Sequence, residues 1–172
     1  MQYLWINPVS AGMCEEDSLK RFLERHGLTR VECRGDWGRI VRERYEASLR
    51  AGVTLADARC PEAVRLLEEI QKEPENESGI ENLKVAPIEP ILLHCARELS
   101  TRPDREKIIT TPCQSLAVLG NLLGLENTRF IAWNRLAGGE VRVRAIEDSP
   151  IPPGYFAGIC RKDGQAAKVE SV

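Results

Sequence analysis

The chain has 172 residues, 42% of them hydrophobic, which is enough for one globular domain with an apolar core. Its 24 basic and 26 acidic residues give a net charge of -2, which excludes the basic surplus typical of a nucleic-acid-binding protein. There is neither a run of about 18 apolar residues nor a basic, cleavable leader, so we expect no membrane span and no secretion. We therefore expect a cytoplasmic protein whose six cysteines are reduced. Metal binding, redox chemistry or burial then has to explain why the chain has six of them.

Predicted strands and helices alternate along the chain. An apolar strand covers residues 2–7, the loop 8–12 follows, and a helix with acids in its first turn runs from Glu15 to a stop at Gly27. Further strands are predicted at residues 29–34, 53–56, 83–86, 107–110 and 128–133. The later helices begin at Asp36, Cys60, Pro90 and Cys113, and Gly52 and Gly124 end two of them. This alternation is typical of an α/β fold with a mainly parallel sheet and helices on both faces.

The last part of the chain departs from this alternation. Residues 140–146 alternate valine with arginine, and Gly138-Gly139 separates them from the last strand, so we predict a C-terminal β-hairpin at one edge of the sheet. Residues 73–79 are acidic and polar, which indicates an exposed connection. We therefore predict a single α/β domain over residues 1–160, followed by a disordered tail over residues 161–172.

Four of the six cysteines lie where predicted strands give way to helices. They are Cys14, Cys33, Cys60 and Cys113. In an open α/β sheet such junctions line one crevice, and the positive end of a helix dipole favours the thiolate form that binds soft metals. We therefore predict a cofactor site at these four thiols, although there is no Cys-x-x-Cys pair and unpaired cysteines are common in cores. Cys95 lies on an apolar helix face and is predicted to be a core residue.

Two of these junctions resemble the catalytic domain of iron-only hydrogenases. The similar segments are residues 36–68, with the motif Ala58-Arg59-Cys60-Pro61-Glu62-Ala63-Val64, and the motif Ile108-Ile109-Thr110-Thr111-Pro112-Cys113. In that family a Cys-Cys-Pro segment and a Met-Pro-Cys segment each supply one cysteine ligand to the iron-sulfur part of the active-site cluster. The resemblance implies that Cys60 and Cys113 are metal ligands of an iron-sulfur cluster, and Cys14 and Cys33 are the best-placed cysteines to complete the set.

The chain departs from the hydrogenase pattern at functional positions. Arg59 stands where the family has its proton-transfer cysteine, and nothing after Trp133 resembles the Gly-rich segment with the family's last two ligands, since Cys160 stands alone. The amino-terminal ferredoxin-like motifs are missing too. We therefore expect a non-catalytic iron-hydrogenase-like protein that binds an iron-sulfur cluster. Its expected role is that of an accessory or electron-transfer protein whose partner is a redox enzyme or a ferredoxin.

Two other interpretations remain open at this point. In the first, the chain is a metal-free α/β interaction or regulatory module, and its cysteines, Cys95 and Cys160 included, are structural. In the second, the chain is a small-molecule enzyme that uses Cys60 or Cys113 as a nucleophile at a helix end. Neither thiol has a histidine or an acid obviously paired with it in the sequence, which weakens this interpretation.

Overall fold

The chain forms two parallel β-sheets, one in each of two compact units. The computed structural model describes residues 2–50, 53–56, 58, 60–72, 83–103, 105–143 and 169–170. The first unit consists of Met1–Gly35 and Leu92–Pro152, and the second consists of Asp36–Ile91 and Pro153–Val172. The segment Asp36–Ile91 of the second unit is therefore inserted, along the chain, between two segments of the first.

Strands and helices follow one another much as the sequence predicts. The strands are β1 (Gln2–Trp5), β2 (Leu28–Arg30), β3 (Thr54–Ala56), β4 (Leu83–Val85), β5 (Lys107–Thr111), β6 (Thr128–Ala132) and β7 (Val169–Glu170). The helices are α1 (Pro8–Met13), α2 (Glu16–Arg25), α3 (Trp37–Ser48), α4 (Pro61–Ile70), α5 (Ile91–Ser100), α6 (Gln114–Leu122) and α7 (Trp133–Ala137). All pairings between these strands are parallel, so the predicted α/β fold with a mainly parallel sheet is confirmed.

Helices cover both faces of the sheet in the first unit. This sheet has four strands in the order β2-β1-β5-β6. Ile108 of β5 packs in one core cluster with Leu19 of α2. The next residue, Ile109, pairs with Phe130 of β6, whose ring packs against Gly120 of α6. Because successive side chains of a strand point to opposite faces, α2 and α6 lie on opposite sides of the sheet.

The second unit has its own sheet and its own apolar core. Its strands run in the order β4-β3-β7. The buried residues of its core cluster are Val41, Tyr45, Leu49, Leu55, Ala86 and Ile88. Asp36 caps α3 as predicted, because its side chain accepts a hydrogen bond from the Arg39 backbone N–H. The Tyr45 hydroxyl accepts a hydrogen bond from the Ala58 backbone N–H at 3.1 Å, which ties α3 to the segment before α4.

Two segments differ from the sequence prediction. The expected loop 8–12 is part of α1, for which Pro8 is well suited as the first residue of a helix. The expected hairpin after β6 is not formed by the described residues. The chain instead continues as α7, which Gly138 ends in the left-handed conformation, and Val143 makes an isolated antiparallel bridge with Cys14. The glycine pair that indicated a hairpin turn therefore follows a short helix and supplies its C-terminal cap.

Several predicted features lie outside the described residues. They are the helix stop at Gly52, Arg59, the exposed connection 73–79, residues 144–146 of the expected hairpin, and Cys160. The expected disordered tail, residues 161–172, also lies outside them except for Val169–Glu170, which form β7. The single domain over residues 1–160 stays a prediction.

The described helices are short. The longest of them, α3, has 12 residues. None of the helices in the part of the chain that the structure describes is both long and apolar enough to cross a bilayer. The cytoplasmic location stays a prediction.

Candidate functional site

Cys60 and Cys113 occupy the predicted strand-to-helix junctions. Cys60 is the N-cap of α4, with Pro61 at the first helical position, and Cys113 is the N-cap of α6. Both have extended backbones and half-buried side chains, and neither thiol makes a capping hydrogen bond to its own helix. Cys113 follows β5, which is paired with β1 in the middle of the sheet. From β1 the chain continues to β2 on one side, and from β5 it continues to β6 on the other. Cys113 therefore lies at the topological switch point, where open α/β sheets usually bind ligands.

Cys14 has the environment of a core residue. It lies between α1 and α2 rather than directly after a strand, and it is 2% exposed. Its thiol donates a hydrogen bond to the Ser10 carbonyl oxygen at 3.0 Å. Burial raises the pKa of the Cys14 thiol, against the lowering effects of Trp133 and Arg30. This is the opposite of the effect expected for a cysteine activated by a helix N-terminus.

Cys33 and Cys95 form a pair within the first unit. Cys33 lies in the segment after β2, and its thiol donates a hydrogen bond to the Cys95 carbonyl oxygen of α5 at 3.8 Å. Hydrogen bonding between the two side chains shifts their pKa values in opposite directions. Cys33 is half-buried, whereas Cys95 is 4% exposed. The structure thus joins one predicted ligand to a cysteine that the sequence assigns to the core.

Glu98 of α5 fixes the backbone that follows Cys33. Its carboxylate accepts a hydrogen bond from the backbone N–H of Arg34 at 2.6 Å and another from the backbone N–H of Gly35 at 3.0 Å. Hydrogen bonds to a charged acceptor are stronger than neutral ones. The turn after Cys33 is therefore held against α5.

Arg102 fixes the backbone on the other side of Cys33. It donates a hydrogen bond to the Glu32 carbonyl oxygen at 3.1 Å. Cys95 and Glu98 lie three residues apart on one face of α5, and Arg102 lies just beyond the end of the helix, with its guanidinium 3.6 Å from the Glu98 carboxylate. This face holds residues 32–35 and keeps Cys33 beside Cys95.

The pair has one thiol that ionises first. The hydrogen bond from Cys95 lowers the pKa of the Cys33 thiol, while burial and Glu98 oppose this lowering and Arg102 assists it. The same hydrogen bond, together with burial, raises the pKa of Cys95. A partly exposed thiol of lowered pKa next to a buried thiol of raised pKa has the properties of a nucleophilic and a resolving cysteine in thiol-disulfide exchange.

The four predicted cluster ligands are divided between the two units. Cys14, Cys33, Cys60 and Cys113 are all among the described residues, and within that part of the chain no three histidine, cysteine or acidic residues are grouped so that they could hold a metal ion. Cys60 belongs to the second unit, and the other three belong to the first. An iron-sulfur cluster at these cysteines stays a prediction.

Comparison with known proteins does not assign the chain to a family. No family model, no curated protein and no solved structure matches it. The resemblance to iron-only hydrogenases around Cys60 and Cys113 therefore stays a prediction from the sequence.

Sequence reasoning missed Cys95 as a functional candidate. Its position on the apolar face of α5 indicates a core residue, and its low exposure agrees with that. A signal was present in Cys95, Glu98 and Arg102, whose helical spacing puts a thiol, an acid and a base on one face. The partner, Cys33, is 62 positions away, and no local pattern reveals a contact over that separation.

Proposed function

We propose that this protein is a non-catalytic thiol redox module in which Cys33 and Cys95 form a reversible disulfide. It acts as an accessory or regulatory protein for a redox enzyme that itself undergoes thiol-disulfide exchange. The observation that carries the proposal is the contact between the partly exposed Cys33 thiol and the buried Cys95, in a segment that Glu98 and Arg102 hold against α5. A fixed geometry favours disulfide formation, because the two side chains lose little conformational freedom when the bond forms.

The reaction is a two-electron exchange with a partner disulfide. The Cys33 thiolate attacks one partner sulfur, the partner's S–S bond breaks, and one partner thiolate leaves. Cys95 then loses its proton and attacks the Cys33 sulfur, which releases the second partner thiolate. The protein loses two thiol protons and two electrons in total, and the partner disulfide becomes two thiols.

A redox titration with single-cysteine variants tests this function. The protein is equilibrated with mixtures of reduced and oxidised dithiothreitol, free thiols are alkylated, and the mass shift is measured. We expect one two-electron transition in the wild type and its loss in Cys33→Ser and Cys95→Ser. Cys60→Ser and Cys113→Ser are matched controls that keep this transition, because both cysteines are half-buried N-caps and serine is a good N-cap. An unchanged transition in Cys33→Ser would overturn the proposal.

Iron-sulfur binding through Cys60 and Cys113 is the second candidate. It is supported by the hydrogenase-like motifs and by the position of each thiol at a helix N-terminus, where it makes no capping hydrogen bond. Anaerobic expression with iron and sulfide analysis tests it, together with visible and EPR spectra. Iron and sulfide that disappear in Cys60→Ser and in Cys113→Ser would support a cluster. A colourless, iron-free wild type after anaerobic reconstitution would exclude one.

A further inference from the structure

A cleft of about 600 Å³ lies next to the segment that carries Cys33. Its lining includes Tyr3 of β1, Thr29 of β2, and Val31, which directly follows β2. Arg34, Glu98 and Arg102 also line the cleft. Arg34 directly follows Cys33 in the chain, and Glu98 and Arg102 hold the Cys33 segment in place. The cleft is therefore lined by the chain neighbour of Cys33 and by the two residues that hold the Cys33 segment.

The charges around this cleft favour an anion. Arg34 and Arg102 are two basic residues of its lining, and the Arg105 guanidinium carbon lies 5.1 Å from the centre of the Tyr3 ring. Glu98 is the acid among the described lining residues. Its carboxylate already accepts two backbone hydrogen bonds and lies 3.6 Å from the Arg102 guanidinium.

The C-terminal end of α5 also borders the cleft, and its partial negative charge opposes an anion. Several of its carbonyl groups are already hydrogen-bonded. The Ser100 and Thr101 hydroxyls donate to the carbonyl oxygens of Arg97 and Glu98, and the Lys107 ammonium group donates to that of Arg102. These donors offset part of the negative end of the helix dipole, and the two arginines outnumber the one acid among the described lining residues.

We infer that the cleft binds a small disulfide that carries carboxylates and places one of its sulfur atoms next to the Cys33 thiol. This inference rests on the proposed redox role of the Cys33–Cys95 pair. The ligand's carboxylates lie against Arg34 and Arg102, and its disulfide is presented to the adjacent thiol. The Cys33 thiolate forms a bond to one ligand sulfur, the ligand's S–S bond breaks, and a small thiolate leaves. Cys95 then displaces the second small thiolate and completes the protein disulfide.

The overall charge of the protein makes a preference for an anionic disulfide informative. Because the whole chain has a net charge of -2, its average field disfavours an anionic reagent. A preference for an anionic disulfide over a cationic one must therefore come from the local field at the cleft.

Oxidation rates with three reagents test the inference. Reduced protein is mixed with glutathione disulfide, which is anionic, with cystamine, which is cationic, or with diamide, and formation of the Cys33–Cys95 disulfide is followed by alkylation and mass spectrometry. We expect glutathione disulfide to react roughly tenfold or more faster than cystamine at low salt. Arg34→Gln with Arg105→Gln should reduce that ratio to near one. Arg135→Gln, an exposed charge on α7, is the matched control and should leave the ratio unchanged.

The outcomes separate this inference from the proposed function. Equal rates for glutathione disulfide and cystamine, together with disulfide formation by diamide, would overturn the cleft assignment and leave the redox pair intact. No Cys33–Cys95 disulfide with any of the three reagents would overturn the proposed function itself. A preference for glutathione disulfide that persists in the double arginine variant would also contradict the assignment to the cleft.

Discussion

The chemistry of Cys33 depends on a few groups around its sulfur. Hydrogen bonding with the Cys95 side chain lowers the pKa of Cys33 and Arg102 adds to this, whereas burial, Glu98 and Glu32 raise it. The sequence predicts Cys33 as a cofactor ligand and attributes the ionisation of its thiol to a helix N-terminus. In the structure the neighbouring Cys95 has the largest effect on the pKa. The lowered pKa of Cys33 therefore comes from a contact over a long sequence separation, which strand and helix patterns do not encode.

The first prediction concerns the pH dependence of Cys33 alkylation. Because its pKa is lowered, the thiolate forms at a lower pH than in an ordinary cysteine, and alkylation should rise with a correspondingly lower midpoint. The measurement is the iodoacetamide rate between pH 6 and 10 in a Cys60→Ser, Cys113→Ser background. Cys95→Ala should raise the midpoint, whereas Cys95→Ser keeps a hydroxyl donor and should raise it less. A midpoint that Cys95→Ala leaves unchanged would contradict this explanation.

A second prediction at this scale concerns Gly120 of α6. An added β-carbon would lie 2.3 Å from Cδ1 of Phe130, so Gly120→Ala should lower the free energy of unfolding by about 1–3 kcal/mol. Gly38→Ala in α3 is the matched control, since its β-carbon meets only Asp36 Oδ1 at 3.7 Å. It should be neutral or stabilising by up to about 1 kcal/mol, because alanine favours helices. Denaturant unfolding measures both variants, and equal effects would contradict the packing of α6 on β6.

Among the elements, α5 determines the geometry of the candidate site. It supplies Cys95 and Glu98, and Arg102 follows its end. The sequence correctly predicts the existence of this helix and of nearly all strands, because apolar periodicity and proline or glycine boundaries are strong there. It misses α1 and α7, which have only six and five residues. Periodicity is weak over so few residues, and the glycines at 12, 138 and 139 are also typical of loops and turns.

The third prediction tests the contact between α5 and the Cys33 segment. Glu98→Gln keeps an oxygen acceptor but removes its charge, so the hydrogen bonds to the Arg34 and Gly35 backbones should weaken by about 1–2 kcal/mol. Hydrogen exchange of these two amides should then accelerate by roughly five- to thirtyfold. Glu43→Gln, in an exposed ion pair of α3, is the control and should leave both amides unchanged. Unchanged exchange in Glu98→Gln would show that the carboxylate does not hold the segment.

At the scale of the whole molecule, Cys33 and Cys95 flank the inserted segment Asp36–Ile91 of the second unit. The first unit leaves off at Gly35 and resumes at Leu92, so the two cysteines lie in the segments that lead into and out of the second unit. Each unit has its own apolar cluster. The sequence predicts one domain because every strand and helix fits the same α/β alternation. Alternation alone does not show that the strands divide between two sheets, since strand pairing depends on distant residues.

The fourth prediction is a redox-dependent stability. A Cys33–Cys95 disulfide spans 62 positions, and the chain-entropy argument gives a stabilisation of about 4 kcal/mol for a loop of this length. The oxidised wild type should therefore unfold at a higher denaturant concentration than the reduced form. Cys33→Ser should show no such difference between oxidising and reducing conditions. Equal midpoints for the oxidised and reduced wild type would indicate that the bond is not formed or is strained.

Peptide mapping of the oxidised protein tests the central claim most directly. Reduced protein is oxidised with one equivalent of diamide at low protein concentration, the free thiols are alkylated, and the tryptic digest is analysed by mass spectrometry without reduction. We predict a cross-linked product of residues 31–34 and 85–97, joined through Cys33 and Cys95, with the other four cysteines alkylated. Alkylation of both Cys33 and Cys95, with the disulfide elsewhere or absent, would contradict the account.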